Sequence, residues 1–219
     1  MSQHPSAFAT AALVPGWYGK LPGMGDFAHR RMPESFLQAW DAWLQAGLHG
    51  LRERHSDWVQ HYLEGDLWFF LLGPGVASAR PWLGVLMPSV DSAGRYFPLT
   101  LAAELAQWSP VLGAEQAAQC RAVWLLAQQV ALVGLEEDLD ANGFENLLQS
   151  SFAQSTPRAD AGIVAELPLP APGQTSWQLN PQAGYVAELA RTPLPQGQTF
   201  DALFGFAPGA QSLEQGIMS

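Results

Sequence analysis

The sequence predicts an α+β protein with αβα layers, in which a mostly antiparallel or mixed central sheet is flanked by helices within a single domain. Two observations predict this class. Three short apolar strands follow one another with no helix between them, and a long amphipathic helix stands on either side of this group in the chain. Consecutive strands favour antiparallel pairing, and helices before and after them can cover both faces of a sheet.

The first helix is predicted over residues 33–53. Pro33 at the first helical position and Glu34 in the first turn favour a helix start. Bulky apolar or small residues then recur at helical spacing on one face, namely Phe36, Trp40, Trp43, Leu44, Gly47 and Leu51. A short strand over residues 16–21 precedes this helix and ends at Pro22.

Three strands are predicted between the two long helices, at residues 68–72, 82–87 and 97–105. The first two are wholly apolar runs closed by Gly73 and Pro88, a pattern that is typical of strands in the interior of a sheet. The third begins close to a proline, where a missing backbone N–H is tolerated.

A long helix is predicted over residues 113–135, where apolar residues form a broad stripe. A shorter helix is predicted over residues 144–152, and Asn142 and Gly143 break the pattern between the two. Residues 153–173 are rich in Pro, Ala and Ser and are interpreted as a loop or linker.

These elements predict three regions along the chain. Residues 1–14 form a flexible leader and residues 15–152 form the α/β core. Residues 153–219 comprise a Pro-rich segment and C-terminal elements that pack on the same domain. These last elements are a possible strand at residues 177–179 and a short element at residues 200–206.

The charge composition argues against nucleic acid and membrane partners. Ten Lys and Arg residues against twenty Asp and Glu residues give a net charge of −10, whereas nucleic acids and anionic membranes attract dense positive charge. No run of about 18 apolar residues predicts a membrane span, and the first residues lack the features of a signal peptide. The sequence therefore predicts a cytoplasmic protein that binds no nucleic acid and does not insert into a membrane.

The stretch GWYGKLPGMGDF, residues 16–27, surrounds the only lysine of the chain, Lys20, with glycines. A Walker-type phosphate loop requires a hydroxyl residue after its lysine, but Leu21 follows Lys20, and Pro22 removes an amide that could bind phosphate. Asp26 would repel a phosphate group, and the next helix begins too late for a dinucleotide fingerprint. The stretch is therefore interpreted as a shaped turn and not as a nucleotide-binding loop.

No spacing of side chains predicts a catalytic or metal site. The sequence contains no G-x-S-x-G elbow, and no histidine pair has the spacing of a zinc site. No catalytic residue, cofactor or metal is therefore predicted. The residues interpreted as exposed polar positions are His29, His49, His55 and His61, while Cys120 is interpreted as a core residue and Trp17 as a half-exposed one.

Two short polar loops, each with a glycine, an acid and a base, form the candidate docking site. The candidate partner-binding residues are Lys20, Asp26 and Arg31 in the first loop and Asp91 and Arg95 in the second. If both loops lie on one face, they would present cationic groups to a carboxylate or carbonyl of a partner. The structural alternative is that Asp26 caps a turn or the next helix, Asp91 forms an Asx turn and Arg95 pairs locally.

These two loops, with the helix between them, resemble the TagF family of bacterial type VI secretion proteins. The resemblance rests on GWYGKLPGMGDFAHRRMPESFLQAWDAWLQ and on WLGVLMPSVDSAGRYFPLTL, and it covers about residues 15–150. It implies a cytoplasmic accessory protein without catalytic activity that represses type VI secretion after translation. The partner that it implies is the forkhead-associated scaffold protein, Fha.

Two other classes of protein remain open from the sequence. One is a hydrolase or phosphoryl-transfer enzyme in which Asp26 and Asp91 surround a metal while Lys20 and Arg95 act as charge clamps. This class requires the two carboxylates to lie within several ångströms of each other. The other is a structural component of the secretion machine, which would co-purify with assembled particles.

Overall fold

The computed structural model describes residues 14–154, 166–179 and 189–206 of the chain. The strands are β1 (Gly16–Gly19), β2 (Ala28–Arg30), β3 (Trp68–Leu72), β4 (Trp82–Met87), β5 (Leu99–Glu104), β6 (Val111–Leu112), β7 (Leu167–Pro168), β8 (Thr175–Gln178) and β9 (Leu189–Thr192). Seven of them form one sheet in the order β2-β1-β5-β4-β3-β8-β9, and β6 pairs with β7 separately. Every pairing is antiparallel.

Helices cover both faces of the seven-stranded sheet. They are α1 (Glu34–Arg54), α2 (Trp58–Leu63), α3 (Ala114–Glu136), α4 (Ala141–Gln154) and α5 (Gln198–Asp201), with a 3₁₀ turn η1 (Ala202–Phe204) after the last. Buried residues of α1, α2 and α5 form one core, and those of α3 and α4 form the other. The predicted α+β class with αβα layers is therefore confirmed.

The central strand β3 shows why the predicted strands are wholly apolar. Successive side chains of a strand point to opposite faces. Phe69 and Leu71 accordingly lie in the core with α3 and α4, while Trp68, Phe70 and Leu72 lie in the core with α1. Since both faces of the sheet are covered, each position of this strand is buried.

The predicted start of the shorter helix is wrong. Helix α4 begins at Ala141, so Asn142 and Gly143 lie inside it instead of breaking the pattern. The start is possible because Asp140 Oδ1 accepts the backbone N–H groups of Asn142 at 3.1 Å and Gly143 at 2.8 Å, which satisfies donors of the first helical turn. Pro33 is the N-cap of α1 and not its first helical residue.

The two short elements predicted near the C-terminus are confirmed. Strand β8 corresponds to the predicted strand at 177–179 and pairs with β3. The predicted element at 200–206 comprises α5 and η1. The predicted leader lies outside the described residues except for Val14, and so does much of the predicted linker.

An ion-paired cluster anchors α5 to the end of α1. The buried Asp201 carboxylate accepts two hydrogen bonds from Arg54, from Nε at 2.8 Å and from Nη2 at 2.7 Å. His55 Nε2 lies 3.0 Å from the same carboxylate, and its ring stacks on Phe206 with centroids 3.8 Å apart. The interpretation of His55 as an exposed position is therefore wrong, because the C-terminal segment partly covers it.

Across the described ranges, none of the helices combines the length and the hydrophobicity that crossing a membrane would require.

Candidate functional site

The two polar loops meet at one end of the sheet. One loop follows β1 and the other joins β4 to β5, and β1 lies next to β5. The loops are hydrogen-bonded to each other, since the Ser92 N–H donates to the Met24 carbonyl at 3.1 Å and Ser89 Oγ donates to the Lys20 carbonyl at 2.8 Å. Residues that are far apart in the chain therefore form a single surface.

The carboxylate of Asp91 is the centre of this junction. Its side chain is 0% exposed. Its Oδ2 accepts hydrogen bonds from the Lys20 ammonium and from Arg95 Nε, the latter at 2.8 Å. Its Oδ1 accepts the backbone N–H groups of Ala93 at 3.0 Å and Arg95 at 2.9 Å. Both oxygens are thus engaged twice, and the predicted Asx turn and local pairing of Arg95 are confirmed.

The charges of this junction follow from these contacts. Burial of the Asp91 carboxyl raises its pKa, but the hydrogen bonds from Lys20, Arg95 and the backbone outweigh burial and hold the pKa well below its usual range. The hydrogen bond to Asp91 also raises the pKa of the Arg95 guanidinium. One carboxylate therefore faces two cations, and the junction carries an excess positive charge.

Lys20 and Arg95 differ in their access to solvent. The Lys20 side chain is 5% exposed and lies inside the junction, whereas the Arg95 side chain is 55% exposed. The ammonium of Lys20 is also 4.7 Å from the centre of the Phe27 ring. Lys20 consequently acts as an internal support, and Arg95 is the member of the pair that a partner can reach.

Asp26 lies at the margin of the junction. It is exposed, and its charge lies close enough to Arg95 to contribute to the raised pKa of that guanidinium, after the larger effect of the hydrogen bond to Asp91. It does not cap α1, whose N-cap is Pro33. Asp26 therefore lowers the net positive charge of the surface around Arg95.

Arg31 lies apart from the junction, next to α4. Its Nη1 pairs with the Glu145 carboxylate and its Nη2 donates to the Pro15 carbonyl at 3.0 Å. Burial of Glu145 raises its pKa, but hydrogen bonds from Arg31 and Trp17 outweigh burial and lower the pKa. Four of the five candidate residues therefore lie at one end of the sheet, and Arg31 instead ties the end of β2 to a helix.

The interpretation of Trp17 as half-exposed is wrong. Its side chain is 0% exposed, and its Nε1 donates to Glu145 at 2.9 Å. The ring of Phe144 packs edge-on against it with centroids 5.1 Å apart. Helix α4 covers this position, and that long-range packing leaves no signal in the residues around Trp17.

Two aromatic residues of the site escaped the sequence-based reasoning. Phe27 is 47% exposed and packs edge-on against Phe97 with centroids 4.7 Å apart. The buried hydroxyl of Tyr62 donates to the Ser89 carbonyl and accepts the Ser89 N–H, each at 3.0 Å. The position of Phe27 directly after the Gly-Asp turn is a signal that could have marked it, whereas nothing in the sequence links Tyr62 to the loop.

The hydrogen bonds of Asp91 disfavour metal binding in this junction. Each oxygen of Asp91 already accepts two hydrogen bonds, so the carboxylate would have to break them to become a metal ligand. Within the described ranges no group of three or more His, Cys, Asp and Glu side chains has the arrangement of a metal site.

Comparison with known proteins shows which family this chain belongs to. The sequence model of the TagF N-terminal domain, described as type VI secretion system-associated, matches residues 16–151. The match covers more than half of the chain and contains both loops. The protein is therefore a type VI secretion system-associated protein. It belongs to the TagF family.

A solved structure shares this fold. The crystal structure of PA0076 from Pseudomonas aeruginosa PAO1 is similar to this chain with a TM-score of 0.67 and 28% sequence identity. The likeness covers 87% of this chain and 93% of that chain, so it extends beyond residues 16–151. No curated protein sequence matches this chain.

Proposed function

We propose that this protein is a non-catalytic cytoplasmic regulator that represses type VI secretion after translation by binding the forkhead-associated scaffold protein Fha. Membership of the TagF family supports a role in type VI secretion. Repression and the choice of Fha come from the family resemblance, and the structure supplies a surface that suits binding.

The observation that carries the proposal is the junction of Lys20, Asp91 and Arg95. Its inner part is held by hydrogen bonds and its outer part is open to solvent. A guanidinium that is held in one place before binding loses less conformational entropy when a partner arrives. It also forms strong charge-assisted hydrogen bonds with carboxylates and carbonyls. The junction therefore suits recognition of another protein.

The same contacts weigh against a hydrolase or phosphoryl-transfer enzyme. A general base should have a pKa near the working pH, whereas the pKa of Asp91 is held well below its usual range by Lys20 and Arg95. Lys20 is bound inside the junction and is not placed to clamp a substrate. The enzyme interpretation would require these contacts to be rearranged before any reaction.

Capture of Fha by the purified full chain tests the proposal. We expect the wild-type chain to capture Fha and Arg95→Ala to bind it about tenfold more weakly, since a charge-assisted hydrogen bond is lost. Arg80→Ala is the matched control, because Arg80 is an exposed arginine in the β3–β4 loop at the opposite end of the sheet. Lys20 is unsuitable for this test because it is buried.

Two results would contradict the proposal in different ways. Absence of Fha capture by the wild-type chain would contradict the partner. Equal capture by wild type and Arg95→Ala would contradict the site.

In bacteria, deletion of the gene should raise type VI secretion, and the wild-type chain should restore repression. Co-purification with assembled secretion particles would instead favour a structural component.

A further inference from the structure

The surface around Arg95 continues onto α1 and α2 through a second arginine and two aromatic rings. Tyr96 packs edge-on against Trp58 with ring centroids 5.2 Å apart. The Arg52 guanidinium lies 4.7 Å from the centre of the Trp58 ring, and its Nη2 is 3.5 Å from the Tyr96 carbonyl. We call the surface formed by Phe27, Arg52, Trp58, Arg95 and Tyr96 the cationic face.

The cationic face has the composition of a protein interface. Phe27, Arg52 and Arg95 are exposed, while Trp58 and Tyr96 are half-buried. Arginine, tryptophan and tyrosine are the residues most often found in binding hot spots. Each of these side chains is also held by a neighbour in the structure, so little side-chain freedom remains to be lost on binding.

The charge of this face differs from that of the whole chain. The protein has a net charge of −10, yet the exposed guanidiniums of Arg52 and Arg95 stand here together. Lys20 and Asp91 below them compensate each other, and Asp26 at the margin opposes only part of the exposed charge. Glu53 after Arg52 and Asp57 before Trp58 are exposed acids at the edge of the face. The face thus presents two exposed guanidiniums, bordered by acids, on an acidic protein.

We propose that the cationic face binds an acidic segment of the partner protein, in which carboxylates stand next to apolar side chains. The proposal rests on the proposed function and specifies the chemistry of its partner. The two guanidiniums would bind the carboxylates, while Phe27 and the ring of Trp58 would pack against the apolar side chains.

An acidic protein segment suits this face better than a nucleic acid does. A phosphorylated side chain would bring close to two negative charges to the same guanidiniums, and a phosphoserine peptide is therefore the comparison in the binding experiment. Binding of nucleic acid draws on many phosphate contacts, whereas this face offers two exposed cations on a strongly acidic chain.

Fluorescence anisotropy of the full chain with a fluorescein-labelled peptide of alternating Glu and Leu tests this proposal. We expect the peptide to bind wild type at low salt and to bind Arg52→Glu and Arg95→Glu about tenfold more weakly. Arg80→Glu should bind as wild type does, because Arg80 lies at the other end of the sheet. The same peptide with Gln in place of Glu should bind about tenfold more weakly, and added salt should weaken the Glu peptide.

Several outcomes would overturn the proposal. They are failure of the Glu peptide to bind wild type, equal binding by Arg52→Glu, equal binding of the Gln peptide, or tighter binding of a phosphoserine peptide or a DNA oligonucleotide. Arg52 lies outside the buried junction, so Arg52→Glu remains informative if Arg95→Glu fails to fold. Thermal unfolding of each variant checks this point.

Capture of Fha, measured in parallel, separates this proposal from the proposed function. Binding of the Glu peptide without capture of Fha would support the cationic face and contradict Fha as its partner. Capture of Fha that neither Arg52→Glu nor the Glu peptide reduces would support the partner and overturn the acidic segment as its contact.

Discussion

The single carboxylate of Asp91 accepts hydrogen bonds from the backbone and from two side chains. Its Oδ1 closes the Asx turn over Ala93 and Arg95, and its Oδ2 binds Lys20 and Arg95. A purely local role accounts for the Asx turn. The contact with Lys20 joins residues 71 positions apart, and it adds an ion pair to the two hydrogen bonds that already join the loops.

The buried pair of Lys20 and Asp91 predicts a specific pattern of stabilities. Lys20→Met should destabilise the fold by about 3–5 kcal/mol, because removal of one partner leaves a buried charge that Arg95 compensates only in part. Urea denaturation of Lys20→Met, Asp91→Asn and the double variant measures the pairing. The double variant should lose less stability than the sum of the two single variants, and strict additivity would contradict the pairing.

The pKa of Asp91 predicts how stability changes with pH. Its folded-state pKa lies below the unfolded value of about 3.9. The stabilisation is therefore present above that value and is lost as the pH falls toward the folded-state pKa, because the unfolded chain takes up a proton first. Wild type should lose up to about 1.4 kcal/mol more per pH unit below pH 4 than Asp91→Asn does. Parallel curves for the two proteins would count against this assignment.

Among the helices, the contact between α1 and α5 depends on Gly47. A Cβ at this position would overlap the ring of Phe200, which is fully buried and packs against Trp43 and Phe204. An alanine in a helix is ordinarily more favourable than a glycine by about 1 kcal/mol. Here the packing of the Phe200 ring against the backbone of α1 reverses that preference.

Gly47→Ala should therefore destabilise the protein by about 1–3 kcal/mol through overpacking. Gly143→Ala in α4 is the matched control, since its Cβ would meet its nearest neighbours at 3.4 Å, an ordinary contact distance. That variant should be neutral or more stable by up to about 1 kcal/mol. Midpoints of chemical denaturation compare the two, and equal midpoints would be inconsistent with the close approach at Gly47.

The attachment of α5 predicts a local effect of removing Asp201. Asp201→Ala should raise amide hydrogen exchange over residues 198–206, because Arg54 and His55 lose the carboxylate that holds this segment to α1. Exchange in β3 and β4 should rise much less. Glu145→Ala, which removes a carboxylate paired with Arg31 on the other face, is the control. Protection of α5 that is unchanged in Asp201→Ala would show that its apolar contacts are sufficient.

The whole protein is built around one sheet whose two faces are buried in two different hydrophobic cores. Phe69 and Phe70 are adjacent in β3 and are both fully buried, but they lie in different cores. Phe69→Ala and Phe70→Ala should each destabilise by about 3–5 kcal/mol. Since both cores share the sheet, unfolding should remain a single transition by tryptophan fluorescence and by far-ultraviolet circular dichroism. Separate transitions would mean that the cores fold independently.

Phe27→Ala provides the comparison for these two variants, because Phe27 is 47% exposed. It should cost less stability than either core substitution, since less apolar surface is lost from the interior. A larger cost would mean that the contacts of Phe27 with Lys20 and Phe97 support the junction more than its exposure indicates.

The strongest sequence signals concerned the long elements. Helical spacing predicted the ends of α1 and α3 to within one or two residues. The apolar runs predicted both ends of β3 and of β4. Strand β2, with three residues, and helix α2, with six, escaped prediction because they are too short to show a period. The start of α4 was misplaced because Asp140 caps a helix that contains a glycine.

Local sequence was therefore enough for the fold class, the two long helices, the central strands and the two polar loops, because hydrophobic period and turn chemistry act over a few residues. It also singled out Lys20, Asp26, Asp91 and Arg95. The tertiary structure was needed to bury Lys20 and to place Arg31 beside Glu145. It also brought Arg52 and Trp58 against Tyr96. Each of these outcomes depends on contacts between residues far apart in the chain, and such contacts follow from the packing of strands and helices rather than from any local pattern.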